Sequence, residues 1–193
     1  MKRINMRLWL NDSQRRILEM VFYMMLLAVG CALGTICFRS GKTQELCSFC
    51  TAYAVPHIYD NIMLSSLRWC FCMLAVSFFL GFCGIGQPFL CLILMFHGFG
   101  TGCALTELSS GYADGNPFTY ILSALFAAAV SLTLLLSVRE SVRLAFTYGK
   151  ACLSDTEPFE MRRRLRMCAL RYLILGVLIT AESGLFSLAY NFI

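Results

Sequence analysis

Long apolar runs separated by short polar ones dominate this chain, at about 17–38, 69–82, 88–105, 118–138 and 172–193. Each is too uniformly apolar to show the polar face of a helix in a water-soluble domain. A helix needs about 20 apolar residues to cross a bilayer, which suits most of these runs. The pattern predicts an all-α fold: a polytopic integral membrane helical bundle of about five transmembrane helices. The stretch from Phe82 to Leu108 is its organising element. It holds a Gly84-Ile-Gly-Gln-Pro88 turn, an apolar helix carrying His97, then Gly98, Gly100 and Gly102 at alternate positions. In water those glycines weaken a helix; in a bilayer they let a neighbouring helix approach closely.

The polar segments divide the chain into a basic tail, 1–16, and a membrane domain, 17–193. Trp9 and Leu10 suit the membrane surface beside the tail's charges. The first span contains Gly30-Cys-Ala-Leu-Gly34, a small-xxx-small match suited to helix contact. A basic stretch before an apolar run also fits a cleaved signal, and Leu-Ala-Val-Gly-Cys31 resembles a bacterial lipoprotein cleavage box. The run continues past Cys31 to Phe38, however, and that length favours a retained span. Residues 39–66 form an outer loop. The 107–117 loop is slightly acidic and carries turn chemistry at Asp114-Gly-Asn-Pro117. Beyond span four, Arg139, Glu140 and Arg143 continue at helical spacing. Asp155 or Thr156 can cap a new helix with Pro158 in its first turn.

Composition supports the membrane reading. The 193 residues are 59% hydrophobic and 14% charged, with mean hydropathy +0.70. Soluble domains lie nearer half and a quarter. The net charge of +5 is no nucleic-acid signal, because the basic residues are sorted between loops. The tail holds five Lys/Arg and the 139–171 segment eight, against Arg39, Lys42 and Arg68 on the other side. Thirteen against three places the N terminus in the cytoplasm and makes 139–171 a cytoplasmic basic segment. The Arg162–Arg166 run within it attracts anionic headgroups, or simply sets topology.

Candidate chemistry is sparse. His97 lies mid-span, where an ionisable group is expensive and seeks a partner. Glu182 in span five is the candidate, making a buried polar pair or relay. The alternative is a neutral histidine bonded to a hydroxyl or carbonyl. Cys47-Ser-Phe-Cys50 fits a disulfide, a dithiol redox site or free surface thiols, and the sequence leaves all three open. His57 would supply only a third zinc ligand where four are needed. Most of the eleven cysteines lie in apolar runs and act as small hydrophobes. P-loop, HExxH and GxSxG motifs are absent.

The order Gly84-Ile-Gly-Gln-Pro88, apolar helix, His97-Gly98 and Gly102 resembles the stage II sporulation protein M family. The likeness covers about 20–145 and is strongest over 76–106. The family often has Lys or Arg where His97 stands. What the resemblance implies is a non-enzymatic, multi-pass protein of the bacterial cell membrane, without cofactor or metal. It would anchor or position the sporulation D and P peptidoglycan hydrolases during septal thinning and forespore engulfment. Homo-oligomers would be compatible with that role. The alternative is a permease-like membrane subunit of an ABC-type exporter.

Overall fold

The computed structural model describes residues 12–41, 62–83, 85–111, 117–153 and 158–191. Five helices carry them: α1 (Asp12–Ser40), α2 (Ile62–Leu80), α3 (Gly86–Gly111), α4 (Pro117–Leu153) and α5 (Pro158–Asn191). There is no strand among the described residues. Helices follow from the apolar runs, because hydrocarbon offers the backbone no partner and each N–H must bond within its own segment.

The ends obey local chemistry. Gly41 closes α1 with φ 65°, and its amide reaches the Phe38 carbonyl at 3.3 Å. Pro117 and Pro158 open α4 and α5, where a missing N–H costs nothing. Pro88 sits in the first turn of α3. Between α2 and α3 the Gly86 amide bonds the Cys83 carbonyl at 2.8 Å. A Cβ on Gly86 would lie 2.1 Å from the Leu80 carbonyl oxygen, so the turn leaves room only for glycine.

Four stretches are long and apolar enough to cross a membrane: Ile17–Ser40, Gly86–Ser110, Tyr120–Gly149 and Leu165–Ala189. This is a multi-pass membrane helical bundle. The apolar part of α2 is shorter, Leu67–Leu80. Contacts nevertheless assign α2 a place in the alternation. Gly30 and Gly34 of α1 meet Met95 and Phe99 of α3 in the same order, so α1 and α3 are parallel. Ser77 faces Ser137 and Gly81 faces Ser141, so α2 and α4 are parallel. Phe126 stacks on Phe186 while Ser141 meets Tyr172, so α5 opposes α4. Two parallel membrane helices need a returning segment between them, and α2 is the described helix that can supply it.

The central helix is α4. On one side Leu134, Leu135 and Val138 pack with Tyr23, Leu90 and Leu94 from α1 and α3. On the other, Val130 and Leu144 pack with Cys70, Leu74, Leu175 and Ile179 from α2 and α5. The outer surface is apolar as well, with Phe79 69% and Leu173 68% exposed. That inversion suits a chain whose solvent is lipid.

Two helices overrun the membrane. The 37 residues of α4 extend about 55 Å, against a hydrocarbon core of about 30 Å. The continuation expected at Arg139, Glu140 and Arg143 is one unbroken helix. The new helix expected with Pro158 in its first turn does begin at Pro158, and it runs without a break into span five as α5.

Candidate functional site

The tightest contact in the bundle joins α1 to α3. A Cβ on Gly34 would come within 2.1 Å of the Phe99 carbonyl oxygen, and one on Gly102 within 2.1 Å of the Cys31 carbonyl oxygen. Gly30 meets Met95, and Gly98 meets Leu27, at 2.2 and 2.3 Å by the same measure. Real Cβ atoms do not approach backbone so closely. The Gly30/Gly34 and Gly98/Gly102 spacings are therefore the two halves of a single reciprocal contact. Cys103 adds a thiol directed at the Gly34 carbonyl, 3.4 Å away. Of the other resemblance residues, Gly86 and Pro88 form the entry to α3, and Gly84 lies outside the described residues.

His97 is buried beside α4, its Nε2 3.1 Å from Ser131 Oγ. Ser131 has one hydroxyl proton and directs it to the Ala127 carbonyl at 2.7 Å. Toward His97 the hydroxyl must therefore accept, so Nε2 carries a proton and donates. Of the two sequence readings, the hydroxyl-bonded histidine is the one formed, and the candidate His97–Glu182 pair is not. Glu182 Oε1 instead accepts from Thr133 Oγ1 at 2.9 Å. Ser131 and Thr133 are two residues apart on α4, about 200° around the helix. One hydroxyl looks toward α3 and the other toward α5, so α4 separates the two ionisable groups. The second carboxylate oxygen of Glu182 and the Ser183 hydroxyl are buried without a hydrogen-bond partner.

A third polar group lies where α2, α4 and α5 meet. Tyr172 OH donates to the Ser137 carbonyl at 2.8 Å and also contacts the Ser141 hydroxyl. Ser77 Oγ is 3.3 Å from both Ser137 Oγ and Tyr172 OH. All four residues are buried. Phe78 closes one side, its ring edge-on to Tyr172 with centroids 4.9 Å apart. Close approach of α2 makes this possible: a Cβ on Gly81 would fall 3.2 Å from Ser141 Cα. Sequence reasoning missed this cluster. Its only trace is Ser137 and Ser141, one turn apart on a span that is otherwise rich in leucine.

At the polar end of α4 and α5, Glu140 pairs with Arg143 at 3.4 Å and with Arg171. The described cysteines are free thiols; Cys70, Cys103 and Cys168 are buried within the bundle. Cys47 and Cys50 lie outside the described residues, as does His57. No group of metal-ligating side chains gathers among the described residues.

The arrangement can hold helices in fixed register and keep buried polar groups occupied with one another. Comparison of the chain with protein-family models, with curated proteins and with solved structures finds no match.

Proposed function

We propose that this chain is a non-enzymatic structural component of the bacterial cell membrane, acting in a sporulation peptidoglycan-remodelling complex. There it anchors or positions the D and P hydrolases that thin the septum and drive forespore engulfment. The observation that carries the reading is the reciprocal glycine contact of α1 with α3. An anchoring subunit must hold its exposed segments at fixed spacing, and backbone-to-backbone contact supplies that stiffness. The residues of the resemblance, Gly86, Pro88, Gly98 and Gly102, are the ones that build the turn and this contact. His97 then serves as a packing residue with a satisfied hydrogen bond, and the role requires no fixed charge at that position. In this reading five crossings put the N terminus in the cytoplasm, with the 139–171 segment on the same side.

The test is deletion in an endospore-forming host. Thick, unthinned septa are expected, with hydrolase activity in vitro unchanged. Normal engulfment in the deletion strain would sink the proposal.

A permease-like subunit of an ABC-type exporter is the second reading. What favours it is Glu182, whose unpartnered carboxylate oxygen within a span is the kind of group that marks transport pathways. Co-purification with an ATPase in mild detergent would support it, and repeated failure to recover one would count against it.

A further inference from the structure

A cleft of about 410 Å³ opens between α4 and α5 near the polar end of the bundle. Arg143, Arg163 and Arg171 line it, with Glu140 as the lone acid; Leu144, Thr147, Met167 and Cys168 complete the wall. Glu140 bonds both Arg143 and Arg171, which fixes their heads against α4. Three guanidinium groups against one carboxylate leave two positive charges in excess. The apolar stretches of α4 and α5 extend to Gly149 and from Leu165, so the cleft straddles the membrane boundary. Phe146 and Leu170, exposed on the same helices, put lipid beside it. Arg163 and Arg171 are about 12 Å apart along α5, a span that bridges the headgroup layer and the first acyl carbons.

We infer that this cleft binds the phosphate of an anionic membrane phospholipid. Guanidinium forks match phosphate oxygens in bidentate geometry. The leucine side of the cleft suits the start of an acyl chain, which a free phosphate does not have. The site differs from a diffuse attraction to the 162–166 basic run. Arg162, Arg163 and Arg166 are all exposed, but of the three only Arg163 lines the cleft.

The experiment uses the full chain in detergent, with native mass spectrometry after addition of phosphatidylglycerol, phosphatidylcholine or inorganic phosphate. Phosphatidylglycerol should be retained preferentially, and inorganic phosphate should not displace it at equal concentration. Arg163→Gln and Arg143→Gln should each weaken retention about fivefold, whereas Arg162→Gln should leave it unchanged. Melting temperatures of the variants establish that they are folded; Arg163 is exposed, so its replacement should not unfold the chain. Equal retention of the two lipids would overturn the inference. So would equal losses from Arg162→Gln and Arg163→Gln, which would mean surface charge alone. Displacement by inorganic phosphate would overturn it too, reassigning the cleft to a soluble anion.

Discussion

Gly34 and Phe99 stand so close across α1 and α3 that a Cβ on the glycine would fall 2.1 Å from the phenylalanine carbonyl oxygen. Even alanine is too large there, and the obstacle is backbone, which cannot rotate aside. We expect Gly34→Ala and Gly102→Ala to destabilise the protein by about 1–3 kcal/mol each, the usual cost of overpacking. Gly184→Ala is the control, since nothing lies within 4 Å of its Cβ position and alanine is the better helix former. Denaturation in mixed micelles measures all three. Equal stability of Gly34→Ala and Gly184→Ala would contradict the contact.

Tyr172 holds three helices together through one hydroxyl. Tyr172→Phe keeps the ring against Phe78 and removes the donor to the Ser137 carbonyl. The expected loss is about 0.6–1.7 kcal/mol, the range for interhelical hydrogen bonds in membranes. A double-mutant cycle with Ser141→Ala should show coupling between them. Strict additivity would dissolve the proposed cluster.

His97 and Glu182 should behave independently, because each has its own hydroxyl partner on a different side of α4. The stability changes of His97→Gln and Glu182→Gln should add within about 0.3–0.5 kcal/mol in the double variant. A larger interaction energy would restore the direct pair that sequence reasoning suggested.

Cys83 lies exposed in the turn between α2 and α3, on the side assigned to the cytoplasm. With the other cysteines replaced, an impermeant maleimide should label it in inverted vesicles and not in intact cells. Labelling from outside would reverse the proposed orientation.

The helices were legible because most of the apolar runs are long, and Gly41, Pro88, Pro117 and Pro158 mark helix ends. The glycine spacings were legible as packing faces for the same reason. Their pairing with each other was not, since Gly34 and Gly102 are far apart in sequence and nothing local names a partner. A hydroxyl partner for His97 was one of the two readings open from the sequence, but which residue supplies it was not legible. In lipid both the inner and outer faces of α4 are apolar, so no amphipathic period reveals that Ser131 and Thr133 point to different neighbours. Ser77, Ser137, Ser141 and Tyr172 were invisible on the same ground, because isolated hydroxyls in an apolar run give no sign of converging. The helix start at Pro158 was legible in its capping chemistry; that Arg162 to Arg171 continue without a break into span five was not, because their charge marks a segment outside the membrane.

The parallel docking of α1 on α3 also bears on how the chain is made. The first helix enters the bilayer before the third exists, so its Gly30/Gly34 face is at first uncovered. Synthesis adds about 5–20 residues per second, so that face waits some seconds for Gly98 and Gly102 to emerge. Through that interval it can engage any small-residue helix nearby, including the first helix of another nascent copy. Biogenesis of this protein is therefore a race between internal docking and pairing between chains, with its outcome set by the time needed to translate α2 and α3.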